Sequence, residues 1–571
     1  MKLVSKMTVS AVAVLSLTAC EGGSGPITAP AADLVLVGGK IVTVDEANLE
    51  VEALAAKDGL IVALGNRDEV EAYVGDGTEV IDLAGALAVP GFIEGHGHFT
   101  SLGDSRIQLD LTKAASWQEI VDQVAAAVAE AEPGEWIRGR GWHQDKWSAA
   151  PEPQVKGFPL HASLSTVSPE NPVLLTHASG HGLFANAKAM ELAGIDRTTP
   201  DPPGGEILKD GSGEPAGFLS ETAMRPVYAA RGAAGAVPES EVRRMVELAS
   251  QECLAKGITS FQDAGSDFET VEFLRRLDGE GALGVRLWMM IRDSNEALAE
   301  KLAGAKTLAE GDSHFAVGGI KVSIDGALGS RGAWLLEPYS DSPESTGLNL
   351  VPVAEIHETA ALAIEHDVQL CIHAIGDRAN REVLDLFEQT FAAHPDKSDL
   401  RWRVEHAQHL HPDDIPRFAE LDVIASMQSV HCTSDGPWVP DRLGDQRSED
   451  GAYVWQKLLD SGAVVMNGTD VPVEDVDPIA NFYSGVSRMM ATGERFYPGQ
   501  RFSRLEALKS TTLDAAYGAK EDHLKGSLEV GKLADVTVLS KDILTVPEEE
   551  ILDAEVLYTI VGGRVAYRAS R

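Results

Sequence analysis

Eight short apolar runs, spaced by helical stretches, limit what this chain can fold into more than any other feature. They are Ala86–Ile93, which leads into Gly95-His96-Gly97-His98-Phe99, then Gly257–Asp263, Val285–Ile291, Gly318–Asp325, Gln369–His373, Arg401–His406, Val423–Gln428 and Val464–Asp470. Runs this short and this apolar, without clean alternation, read as strands buried on both faces, as in a parallel sheet. Eight βα units favour an α/β chain closed as a (β/α)8 TIM barrel over an open doubly wound sheet. The last helix of the barrel has its own punctuation: a capping box from Ser503 and Glu506, apolar spacing at Leu505, Leu508 and Leu513, and Gly518 near the stop. At 571 residues the chain is too long for one small core, so more than one domain is expected.

The ends of the chain supply the second domain. Leu34–Val37, a Gly38-Gly39 pair and Lys40–Val44 read as a hairpin. Tyr558–Val561, Gly562-Gly563 and Arg564–Tyr567 repeat the plan, and Ala534–Leu539 is a further strand. Segments 33–88 and 521–571 are thus expected to form one small β-domain, with a barrel over 89–520 between them. Residues from about 103 to 250 do not keep the βα rhythm and read as an insertion. Trp136, Trp142 and Trp147 fall there, three of the chain's nine Trp. They mark either an insertion folded over a site or a packing cluster.

The first 20 residues read as an address. Lys2 and Lys6 precede the apolar stretch Met7–Ala19, too short to span a bilayer as a stable helix. Leu17-Thr18-Ala19-Cys20 resembles a bacterial lipobox, with Cys20 the lipidation site; a plain signal peptide cut near Ala19 is the alternative. Residues 21–32 are Gly-, Pro- and Ala-rich, a flexible tether. The expectation is an exported protein, lipid-anchored in the bacterial envelope and facing the periplasm, with the outer membrane preferred because Glu21 stands where some bacteria use Asp for inner-membrane retention. The remaining Cys253, Cys371 and Cys432 make no disulfide framework. A formal charge of -40, from 88 acidic against 48 basic residues, argues against nucleic acid or an anionic membrane surface as partner. Contact with membrane is expected only through the anchor.

Chemistry gathers where barrel strands end. His96 and His98, two apart on one strand, point the same way and can aim two imidazoles at one metal. The fourth run carries Lys321, the fifth ends in His373, the sixth in His406 and the eighth in Asp470. A buried lysine is costly unless paired or neutralised. One solution is a carbamate formed with CO2, an anionic ligand able to bridge two metals; a pair with Asp325 is the other.

This constellation, with the local words PGFIEGHGHF, GGIKVSIDGALGSR, IHAIGDRAN, RVEHAQ, MNGTDVPVE and GSLEVGKLADVTVL, resembles amidohydrolase family 3 of the amidohydrolase superfamily, the group that includes N-substituted formamide deformylase-like enzymes. The resemblance covers nearly all of 33–568 and implies a composite β-sandwich built from both termini. It also implies two divalent ions, zinc by preference: His96, His98 and Asp470 on the first, His373 and His406 on the second, and carboxylated Lys321 between them. Gly97 is a departure, since many relatives carry a larger residue there. The implied reaction is hydrolysis of a C–N bond in a small amide-type substrate by a metal-bridged hydroxide, with Asp470 as proton shuttle. His181 and Asn186 resemble a family segment near the substrate, Trp142 and His431 are further candidates to line it, and Glu405 and Gln408 flank His406 and are expected to orient it. His409, His411 and His523 are expected at the surface. A mononuclear deaminase is the nearest rival, although IHAIGDR lacks the Glu such enzymes usually carry. A binding lipoprotein without turnover is the rival from another class. A homo-oligomer stays open.

Overall fold

The computed structural model describes residues 30–233 and 237–570. The leader, Cys20 and most of the tether lie outside them. Eight parallel strands form one sheet: Phe92–Gly97, Ile258–Ser266, Arg286–Ile291, Phe315–Ser323, Gln369–Ala374, Arg403–His406, Ile424–Met427 and Val465–Asn467, each paired to the next in chain order. The first and eighth meet across a seam. There Asp470 N donates to His96 O at 2.7 Å and His98 N to Val471 O at 2.7 Å. The buried Glu94 carboxylate spans the same seam, accepting from Thr469 N (2.7 Å) and Thr469 Oγ1 (2.9 Å). The result is a near-closed (β/α)8 barrel, as the eight runs predict. One large apolar core joins its strands to the surrounding helices, with Phe261, Leu287, Val317, Leu370 and Val404 among its members.

Both chain ends enter one six-stranded sheet, ordered Arg564–Arg568, Val556–Val561, Val536–Leu539, Leu87–Pro90, Lys40–Val42, Glu50–Val51. A four-stranded sheet of Leu60–Gly65, Ala53–Lys57, Leu34–Val37 and Glu79–Asp82 faces it, and Leu34, Leu36 and Leu54 share a core with Ile41, Ala88, Val536 and Ile560. The C-terminal hairpin is as read: Val556–Val561 pairs antiparallel with Arg564–Arg568 through Gly562 and Gly563 at φ 55° and 70°. The N-terminal one is not a hairpin. Leu34–Val37 and Lys40–Val42 lie in different sheets, and Gly38-Gly39 carries the chain between them. A Cβ on Gly38 would stand 2.2 Å from Asp82, and one on Gly39 2.4 Å from Ala86 O, so only glycine passes here.

The insertion holds its own six-stranded sheet, Gly205–Lys209, Pro215–Glu221, Gly182–Ala185, Val173–His177, Ile137–Trp142 and Leu109–Asp110 in that order. Trp142, Trp147, Phe184 and Phe218 pack beneath it, with the Trp142 and Trp147 rings stacked at 6.0 Å. Its 179–181 loop, with Arg140 and Glu221, lines the cleft at the barrel mouth. Cys253, Cys371 and Cys432 are free and buried. Among the described residues no helix is long and apolar enough to cross a membrane.

Candidate metal centre

All six strand-end groups, His96, His98, Lys321, His373, His406 and Asp470, line one cleft of about 610 Å³ at the barrel mouth. His96 is fully buried, and its Nδ1 meets the Glu405 carboxylate, which Arg403 Nε holds from the other side at 2.6 Å. Arg403 keeps that carboxylate ionised, and an ionised carboxylate only accepts. The His96 proton therefore sits on Nδ1, and Nε2 turns its lone pair to the cleft, 3.7 Å from Asp470 Oδ1 and 3.3 Å from Lys321 Nζ. His98 Nε2 stands 3.2 Å from Asp470 Oδ1. His406 Nδ1 donates to Gln428 Oε1 at 2.8 Å, and Gln428 Nε2 is itself fixed on Ser426 O. The His406 ring lies 4.7 Å from that of His96 and 4.4 Å from that of His373. His96, His406 and Asp470 offer three ligand atoms within 4.8 Å of one another.

His406, the last residue of its strand, and Asp470, just past its own, have φ 75° and 59°, a conformation uncommon for side-chain-bearing residues.

Burial sets the charges. It pushes His96 down to about 4, with the Lys321 charge adding, and holds His373 and His406 well below the ordinary imidazole range. All three are thus neutral, the form that binds metal. Burial alone would raise Asp470, but the hydrogen bond from His98, with the His96 and His406 rings beside it, outweighs burial and holds the carboxylate well below its usual range. Burial brings Lys321 down to about 8. No carboxylate of the described residues stands within 4.0 Å of its amine. Asp325 is not its partner: that carboxylate accepts from the backbone N–H groups of Trp334, Ile375 and Gly376 and faces His373 Nε2 at 3.5 Å.

The donor set fits a divalent cation. His373 Nε2 and Asp470 Oδ1 are both buried without an aligned hydrogen-bond partner, a costly state unless something fills it. Imidazole nitrogens with carboxylate oxygens suit zinc among the first-row ions.

The other candidates divide. His181 lines the cleft, its Nδ1 3.0 Å from Glu221 Oε2 and its ring 5.3 Å from that of His373. The Glu221 carboxylate outweighs burial and raises His181 above the usual range. His431 lines a side arm of the cleft, buried with Nε2 unpartnered. Trp142 and Asn186 do not reach it. Trp142 is fully buried in the insertion core and donates Nε1 to Leu175 O, while Asn186 caps the helix Ala187–Leu192 and bonds to Ser168 and Asn171. Glu405 orients His96 rather than His406, because neighbours on a strand face opposite ways. Gln408 turns to Tyr453 and Asp435, leaving His406 to Gln428. His409 is buried, edge-on to Tyr453 at 5.4 Å, rather than at the surface; His523 is exposed as expected. Sequence reasoning missed Glu94, Gln428 and Glu221. Each closes or interrupts an otherwise apolar run, a usable signal for a polar group with a partner waiting.

The profile of the amidohydrolase family matches residues 79–567. The chain belongs to this family. It is 34% identical over 557 residues to Protein LONG AFTER FAR-RED 3 of Arabidopsis thaliana, covering 95% of this chain and 93% of that one. It is 28% identical over 544 residues to N-substituted formamide deformylase of Arthrobacter pascens, covering 94% and 98%. A crystal structure of an uncharacterized metal-dependent hydrolase from Pyrococcus horikoshii superimposes with a TM-score of 0.73 at 25% identity, covering 90% of this chain and 99% of that one.

Proposed function

We propose that this protein is a metal-dependent hydrolase cleaving the C–N bond of a small amide-type molecule. The observation that carries the reading is the convergence of His96, His406 and Asp470, with His98, Lys321 and His373 beside them, where His373 Nε2 and Asp470 Oδ1 are buried without an aligned hydrogen-bond partner. The deformylase and the metal-dependent hydrolase among its relatives support the same reaction class. His96, His98 and Asp470 would hold one divalent ion, His373 and His406 a second, and Lys321 would join them as its carbamate. When bound, the ions supply Lewis acidity toward a carbonyl and acidify water.

The residues of the chain do the rest. Asp470, ionised at the edge of the cleft, takes a proton on its carboxylate and returns it to the departing amine nitrogen. His181, whose protonated form Glu221 favours, donates toward the oxygen on which negative charge develops. Glu405 and Gln428 hold His96 and His406 in the tautomers that leave Nε2 free. The insertion covers the mouth and limits water. The same reading takes 33–88 and 521–571 as the supporting sandwich, 89–520 as the catalytic barrel, and residues 1–20 as a lipoprotein leader that puts the enzyme in the cell envelope.

The test is release of free amine from N-formyl and N-acyl amines by metal-loaded protein. Asp470→Asn should lower kcat by about a thousandfold or more, the scale of losing a general base together with a ligand. Equal turnover by the variant would remove Asp470 from the mechanism.

A further inference from the structure

The cleft has two arms that share His181, His373, His406 and Asp470. One is narrow; Leu328, Ile375 and Trp438 give it an apolar side, and His143, Lys146, His431 and Asp435 line the rest. The other is the wide cleft, and Arg140, Arg225 and Arg292 stand on its wall. Among the described residues no carboxylate comes within 4.0 Å of any of the three.

That is unusual in a chain of net charge -40, where acidic partners abound. Arg138 lies on the same insertion strand as Arg140, two residues earlier, and pairs with both Asp104 and Glu241. Arg140 is half-buried yet bonds only to carbonyl oxygens, Pro472 O at 3.1 Å and Ala178 O at 3.2 Å. Arg292 leaves the third barrel strand and has Ser323 Oγ as its side-chain partner. Arg225 opens the helix Arg225–Ala233. Of the acids in the wall, Glu221 is engaged by His181 and Asp470 by His98. Asp293 and Glu355 are exposed at the rim and outside ion-pair reach. Guanidinium groups on a concave wall with no carboxylate in ion-pair contact can take up a carboxylate that arrives from outside.

We propose that the wide arm is an anion subsite, so that the substrate is an amide bearing a carboxylate on the part seated there and an apolar group in the narrow arm. The bond cleaved rests on the hydrolase reading above; the anion subsite does not.

The test uses two amides differing only in the carboxylate, N-formylphenylalanine (both enantiomers) and N-formylphenethylamine. Their kcat/KM values are measured on the metal-loaded protein, and their Kd values by calorimetry on metal-loaded Asp470→Asn, whose slowed turnover leaves time to read binding. The carboxylate should gain about tenfold or more in both readouts, the scale of one charge-assisted hydrogen bond. Arg292→Met and Arg140→Met should collapse that ratio toward unity, and Arg292→Lys should retain part of it. Should Arg140→Met fail to fold, having lost its grip on two loop carbonyls, Arg292→Met decides alone. Equal Kd for the two amides, no binding of either, or a preference that survives the arginine changes overturns the subsite even if hydrolysis is seen. Arginine-dependent binding of the anion with no hydrolysis of either amide supports the subsite and defeats the hydrolase reading instead.

Discussion

Replacing Glu405 by Gln changes one buried oxygen to an NH2 group and should damage both stability and metal binding. Glu405 is fully buried and accepts from Arg403 Nε at 2.6 Å and from His96 Nδ1. Burial would raise its pKa, but Arg403 and His96 outweigh that and hold the carboxylate ionised. Removing the charge leaves Arg403, itself fully buried, with the carbonyl oxygens of Gly95 and Gly518 and the side chain of Gln262 as partners. Breaking one side of a buried pair costs about 3–5 kcal/mol. The amide also lets His96 take the other tautomer, which turns its lone pair away from the cleft. Loss of such an orienting partner lowers metal affinity by about 10–100-fold. Urea unfolding of the metal-free protein reads the first effect, and zinc titration against a competing chelator reads the second. A destabilisation under about 1 kcal/mol, with zinc affinity unchanged, would refute the assignment of Glu405 as the group that holds His96.

Three further perturbations follow. In chelator-treated protein, Lys321 is neutral above about 8 when folded but protonated up to 10.5 when unfolded. The unfolded state then binds the extra proton, so stability should rise with pH across that window by up to ~1.4 kcal/mol per unit; Lys321→Met should remove this component, and parallel pH curves for the two proteins would contradict it. Gly97→Ala puts a Cβ 2.6 Å from Phe261 Cζ and 3.0 Å from Val471 Cγ1, so overpacking of about 1–3 kcal/mol is expected in urea melts, and a neutral result would mean the Phe261 ring swings aside. Trp142→Ala empties the insertion core and should cost about 3–5 kcal/mol; a lost KM with intact stability would restore Trp142 to the substrate.

What could be read from the sequence follows from what each pattern encodes. The eight barrel strands were legible because strands buried on both faces must be apolar throughout, and the strand-end histidines stood out against that background. The expectation of a shared site for His96, Lys321, His373, His406 and Asp470 needed only the rule that barrel strands deliver their carboxyl ends to one mouth. Partner choice was not legible. Glu405 beside His406 in sequence serves His96 on another strand, and Gln428 rather than Gln408 holds His406, because such contacts depend on register between strands. Trp142 and Asn186 carry residue types common to pockets, cores and helix caps, and the fold of the insertion decides among those uses. Gly38-Gly39 has the composition of a hairpin turn, yet whether a chain folds back or crosses to a second sheet depends on strands far along it.

The measurement that tests the central claim most directly is metal content per chain for protein purified without chelator, beside Lys321→Ala. The account predicts about two divalent ions in the parent, a lower content in the variant, and partial recovery on adding bicarbonate with a short carboxylic acid. One ion, unchanged by loss of Lys321, would contradict the bridged pair and reopen the mononuclear deaminase. A protein that binds none under saturating zinc would contradict the metal centre itself.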